Sequence, residues 1–150
     1  MRRVMVVAAM AAGLALAVAG TGIAASGRAT VKTRHGSLGT FLVGTNGRTL
    51  YLFEKDKTKK STCSGACATA WPPLLTTGRP KAAAAAKASL LGTTKRSDGT
   101  TQVTYKGHPV YYFYLDKKAG DTKGEGVDGF GAEWYVLSPT GAKIEPKGGS

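Results

Sequence analysis

Tyr51-Leu52-Phe53-Glu54-Lys55-Asp56-Lys57 returns sixty residues further on as Tyr111-Tyr112-Phe113-Tyr114-Leu115-Asp116-Lys117. Working upstream, Ser37–Lys57 aligns with Ser97–Lys117 without a gap. Nine of the 21 positions are identical, where chance would give about one. The two Tyr-x-Phe-x-x-Asp stretches are therefore copies of one duplicated unit. Downstream the copies diverge, yet each reaches a tryptophan, in Trp71-Pro72-Pro73-Leu74 and in Trp134-Tyr135-Val136-Leu137.

The duplicated unit reads as β structure. Thr40–Thr45 runs into Asn46-Gly47, a two-residue hairpin signal because both residues tolerate positive φ, and Arg48–Phe53 returns. In the second copy Leu90–Arg96 leads through Asp98-Gly99 to Thr101–Tyr105, then through Lys106-Gly107 to Val110–Leu115. Trp134–Ser138 is a last strand, turned by Pro139-Thr140-Gly141. Pro109 fits only a strand start or an edge. Units of about 50 residues are marginal alone. The expectation is therefore an all-β domain over residues 37–145, with two tandem repeats of antiparallel hairpins (37–75 and 97–138) sharing one core in a pseudo-twofold arrangement. The connector, 76–96, holds Lys81-Ala82-Ala83-Ala84-Ala85-Ala86-Lys87. Alanine favours helix, but the run is too short for a stable one, which leaves open one or two helical turns or an irregular link.

Composition agrees with one folded domain. Apolar residues make up 42% and charged residues 20%, which excludes a disordered polyelectrolyte and a coiled coil. Arg2 and Arg3 precede an uncharged apolar run, Val4–Ala19, followed by small residues, so residues 1–25 read as a secretory signal peptide. Residues 26–36 read as a flexible basic segment and 146–150 as a flexible tail. No cysteine precedes Cys63, so no lipid anchor is expected at a leader-end cysteine. The formal charge is +12. Residues 26–97 hold 13 basic and 2 acidic side chains, whereas residues 98–150 hold 6 and 7. The whole excess belongs to the first half. An exported surface of this kind meets anionic wall polymers or lipid head groups, and no specific nucleic-acid partner is expected.

Cys63-Ser64-Gly65-Ala66-Cys67 is a C-x₃-C pair, and in an exported chain the default is a local disulfide. A redox pair normally has C-x-x-C spacing. A zinc site would need ligands beyond Cys63, Cys67 and His108, so no metal site and no cofactor is expected. Asp56 and Asp116 each lie five residues after a tyrosine. They either meet across the pseudo-twofold as an acid/base or cation pair, or cap the turns that leave their strands, and the turn reading is preferred. Trp71, His108, Tyr112, Tyr114 and Trp134 are candidate ligand contacts within an aromatic set that also suits a core. The loop from Gly120 to Gly131 carries Asp121, Glu125 and Asp128, but Lys123 spoils a calcium-loop pattern. No G-x-S-x-G, phosphate-binding loop or H-E-x-x-H occurs.

Two copies of Tyr-x-Phe-x-x-Asp, with Cys63-Ser64-Gly65-Ala66-Cys67-Ala68-Thr69-Ala70-Trp71-Pro72-Pro73-Leu74 after the first, resemble the bacterial "secreted repeat of unknown function" family, many of whose members are lipoproteins with a Yx(FWY)xxD motif. The likeness runs from about Leu38 to Pro139 and includes Gly107-His108-Pro109-Val110-Tyr111-Tyr112-Phe113. It implies an exported or cell-envelope bacterial protein with paired repeats, and it marks Tyr51, Phe53, Asp56, Tyr111, Phe113 and Asp116 as the signature without giving them roles. The expected function is a non-catalytic binding or surface module. Behind it stand a redox-, metal- or haem-linked accessory protein using Cys63, Cys67 and His108, and then a hydrolase using Asp56 and Asp116.

Overall fold

The computed structural model describes residues 27–146. Residues 1–25, read as a leader, and the tail beyond Pro146 lie outside the described residues. The chain forms β1 (Thr30–Gly36), β2 (Gly39–Val43), β3 (Tyr51–Phe53), helix α1 (Ala66–Ala70), β4 (Lys81–Ala82), β5 (Leu91–Lys95), β6 (Thr101–Tyr105), β7 (His108–Pro109), β8 (Asp128–Gly129), β9 (Ala132–Leu137) and β10 (Lys143–Ile144). The fold is all-β. Its three sheets run β2-β1-β4, β10-β9-β3 with β8 on β9, and β5-β6-β7.

The two repeats build the same meander. β1 pairs antiparallel with β2, and β5 pairs antiparallel with β6. β2 then turns back at Val43↔Thr49, as β6 turns back at Thr104↔Pro109. Gly47 and Gly107 occupy equivalent places in these turns with φ of 81° and 78°, a left-handed conformation that favours glycine. The first turn is a three-residue loop, not the two-residue one that Asn46-Gly47 suggested: Gly44 N–H bonds Arg48 O at 2.9 Å and Gly47 N–H bonds Gly44 O at 2.9 Å, and only Gly47 takes a positive φ. Pro109 lies at the sheet edge, where its missing donor costs nothing.

Two boundaries differ from the sequence expectation. Thr30–Gly36, expected within a flexible segment, is strand β1 between β2 and β4, with Val31 fully buried. Its charges misled: Lys32, Arg34 and His35 suggested a solvated tail, but β1 buries only Val31 and is held by its backbone pairing with β2 and β4. β1 is the counterpart of β5, so each repeat begins one strand earlier than the identities indicate. The connector forms no α-helix. Lys81–Ala82 pairs parallel with Thr30–Val31, and only a 3₁₀ turn, Ala88–Leu90, precedes β5. An exposed pentaalanine has too little to bury to nucleate a helix, and β1 offers it backbone partners.

Strand periodicity divides the buried residues into two layers, both shared between repeats. Leu50, Leu52, Val103, Val110, Tyr135 and Leu137 enter one cluster. Tyr51, Phe53, Tyr111, Phe113, Trp134 and Val136 enter the other. Adjacent residues take opposite faces, so the central strands are covered on both sides, and neither repeat owns a core.

Candidate functional site

The signature residues converge at the junction of the repeats. Tyr51 and Tyr111 exchange both backbone hydrogen bonds: Tyr51 N–H to Tyr111 O is 2.8 Å and the reverse is 3.0 Å. This antiparallel pair of equivalent residues places the pseudo-twofold between them. The side chains repeat the exchange. Tyr51 Oη donates to Asp116 Oδ2 at 2.6 Å, and Tyr111 Oη donates to Asp56 Oδ2 at 2.6 Å. Each repeat's tyrosine is held by the other repeat's aspartate. Each aspartate also holds the loop that follows its own strand: Asp56 Oδ1 accepts from Thr62 N and Oγ1, both at 2.7 Å, and Asp116 Oδ1 accepts from Lys123 N at 2.9 Å. Asp116 is fully buried, and a buried carboxylate is tolerable because charge-assisted donors replace its water. Burial pushes the Asp116 carboxyl up from its ordinary value, against the Tyr51 and Lys123 donors, which hold it down. Burial and the Asp116 carboxylate push the Tyr51 hydroxyl up, so it remains a donor.

The same axis organises the aromatic rings. Phe53, Trp134, Trp71 and Phe113 form a four-ring stack with centroid separations of 4.0, 3.9 and 4.1 Å. The two tryptophans are nearly parallel, at 3°. Tyr51 meets Trp71 edge-on at 5.3 Å, and Tyr111 meets Trp134 edge-on at 5.1 Å. Cys63 and Cys67 form the disulfide and are buried beside this layer, fixing the turn into α1 that delivers Trp71.

Beyond the latches the two sides differ. Around Asp56 the polar chain continues outward: Ser61 Oγ lies 2.7 Å from Tyr111 Oη and accepts from Arg96 Nη1 at 3.0 Å. Since Tyr111 gives its proton to Asp56, Ser61 donates to Tyr111, and the chain from Arg96 Nη1 through Ser61 and Tyr111 runs towards the carboxylate. Arg96 also donates from Nη1 to Gln102 Oε1 at 2.8 Å and from Nη2 to Cys63 O at 2.7 Å. It reaches a cleft of about 420 Å³ lined by residues 60–64 and 95–97. Around Asp116, Tyr51 Oη instead accepts from Gly124 N at 3.1 Å.

Next to Gly124, Glu125 accepts weakly from Val136 N through Oε2, and its Oε1 is buried without a partner. Burial raises its carboxyl from 4.5 to about 7. The folded state therefore favours the protonated form. That contribution is fully present below the unfolded value of 4.5 and is lost as pH rises through about 7. Glu125→Gln is expected to keep the low-pH stability across this window. Thermal melts should show the native protein losing Tm over that interval and the variant losing less; equal slopes would contradict the assignment.

The structure separates the sequence candidates. Trp71 and Trp134 are 1% and 0% exposed, so they are core rings and not ligand contacts. Tyr112 is half-buried against the first hairpin, where a Cβ on Gly44 would meet its hydroxyl. Tyr114 is 51% exposed and remains available to a ligand. His108 lies apart, half-buried in a cleft shared with Glu54, Asp56 and Lys106; burial holds its imidazole below its ordinary value. It does not join Cys63 and Cys67, and no three His, Cys, Asp or Glu side chains gather into a metal-holding group among the described residues. Asp56 and Asp116 do not bond each other but bond opposite tyrosines. Sequence reasoning missed Ser61, Gln102 and Arg96: Ser61 and Arg96 sit in polar, basic runs next to the repeat motif, and Gln102 lies within the repeat on β6 with no signal of its own.

No curated protein and no solved structure matches the chain. A family model described as a secreted repeat of unknown function matches residues 32–75 and 92–138, each match starting within β1 or β5 and ending just past the copy's tryptophan segment. With both meanders matched, including all six Tyr-x-Phe-x-x-Asp signature residues, the chain belongs to this family of secreted repeats.

Proposed function

We propose that this secreted protein is a non-catalytic binding module, retained on anionic wall polymers by the basic surface of residues 26–97. One observation carries the reading. Of the 13 cations in that half, eleven are exposed, while neither of its two acids offers a free carboxylate. Asp56 is consumed by Tyr111 and Thr62, and Glu54 is paired with Lys143 at 3.0 Å. The excess is therefore presented outward and uncompensated. The engagement of both signature aspartates with tyrosine and backbone donors supports a structural role for them over acid/base work.

Cosedimentation with purified cell walls tests this. Raising the ionic strength from physiological to about 0.5 M shrinks the screening length from about 8 Å to about 4 Å, so binding is expected to fall several-fold. Retention unchanged at that salt would overturn the charge-based reading. Equal binding to anionic vesicles, with none to walls, would move the partner to lipid head groups.

A further inference from the structure

We propose that the cleft between the two repeats is a phosphate site, taking a phosphate or phosphodiester group. The inference gives the retention reading a single locus and a ligand class, and it rests on that reading for the encounter with such polymers. The cleft is formed by the loop after the first signature motif and by the β5–β6 turn of the second repeat. It is lined by Lys60, Lys95 and Arg96 together with the hydroxyl residues Ser61, Thr62 and Ser64, and no acidic residue lines it.

Three cations line it, and none of them makes an ion pair with a carboxylate among the described residues. The carboxylate pairs among the described residues are those of Lys143 with Glu54 and Glu145. Asp56 lies at the far end of the Ser61–Tyr111 relay, and Asp98, held below its ordinary value by its Thr100 hydrogen bonds and in part by the Arg96 charge, spends Oδ1 on Thr100 and makes no ion pair with Arg96. Arg96 uses three of its five N–H groups, all on neutral acceptors; Nε–H is buried without a partner, which leaves one Nη2 N–H for an anion. Those bonds hold the guanidinium rigidly: Gln102 is fully buried and tied to Val110 O at 3.0 Å, and Cys63 is fixed by the disulfide. Lys60 Nζ reaches Lys95 O at 3.5 Å across the mouth.

Pre-positioned charge favours the anion that neutralises most of it. A monocarboxylate would leave two of three cations uncompensated, whereas a phosphate dianion, or successive phosphodiesters, would not. A planar guanidinium with flanking ammonium and hydroxyl donors suits a tetrahedral oxyanion. A volume of about 420 Å³ admits more than one phosphate, so a polymer segment fits as well as the free ion.

The test is titration of the disulfide-intact protein with inorganic phosphate, followed by amide NMR. Saturable shifts confined to residues 60–64 and 95–97 are expected. K60Q/K95Q, exposed substitutions that spare the Arg96 bonds, should weaken binding about tenfold. Arg96→Gln should abolish it, but the double variant is decisive because it leaves the fold intact. Diffuse, non-saturating shifts, or an unchanged affinity in K60Q/K95Q, would overturn the site whatever wall binding does. Lost phosphate shifts with residual wall sedimentation would support the site and leave the rest of the basic surface as a separate contributor. Competition at the same residues by oligo(glycerol phosphate) would point to a wall polymer, and competition by phosphatidylglycerol vesicles to a lipid source. Either result would support the phosphate class.

Discussion

Trp134→Ala is expected to cost about 3–5 kcal/mol, a large part of the stability of a domain of this size. The indole is fully buried between Phe53 at 4.0 Å and Trp71 at 3.9 Å, with Tyr111 edge-on and Nε1 donating to Gly129 O at 3.0 Å. Its removal opens a cavity in the middle of the four-ring stack. Neither repeat can collapse into it, because the neighbouring rings belong to both. Trp71→Ala should cost a similar amount, since the pseudo-twofold gives it equivalent contacts with Phe113 and Tyr51. The double variant should cost less than the sum, as expected for residues in contact. Denaturant titration of the three variants checks this. A loss below about 1 kcal/mol for either single variant would contradict the central position of the stack.

Asp116→Ala is expected to cost about 3 kcal/mol. It leaves the fully buried Tyr51 hydroxyl without its acceptor and strips the part-buried Lys123 N–H of its partner. Asp116→Asn should cost less, because the amide oxygen can still accept from Tyr51. Asp56→Ala should also cost less than Asp116→Ala, since Asp56 is 6% exposed where Asp116 is 0%, so water can reach the Thr62 side of the gap, and Ser61 Oγ stays beside the Tyr111 hydroxyl. Thermal melts would show the order Asp116→Ala, then Asp56→Ala, then Asp116→Asn.

Much of the fold was legible because the duplication itself was. Identical spacing placed Tyr51 and Tyr111, Gly47 and Gly107, and Asp56 and Asp116 in equivalent positions, and the turn residues set the hairpins. Strand β1 was not legible, because pairing there depends on backbone bonds to β2 and β4, and within it only Val31 is buried. The reciprocal bonding of tyrosine and aspartate was not legible either. A repeat identifies equivalent residues, but whether each tyrosine meets its own aspartate or its partner's depends on how the copies dock. Arg96 lay further out of reach: its partners Ser61, Cys63 and Gln102 come from three segments that only the tertiary fold brings together. The aromatic row was readable as apolar payload, but its division into a buried stack and an exposed Tyr114 follows from strand register.

The signature is a pair of latches between repeats, and double-mutant cycles on stability test these latches most directly. Tyr51→Phe with Asp116→Asn, and Tyr111→Phe with Asp56→Asn, should each show a coupling of about 1–2 kcal/mol. The within-repeat pair, Tyr51→Phe with Asp56→Asn, should show coupling near zero. Coupling within a repeat, with none across, would contradict the account.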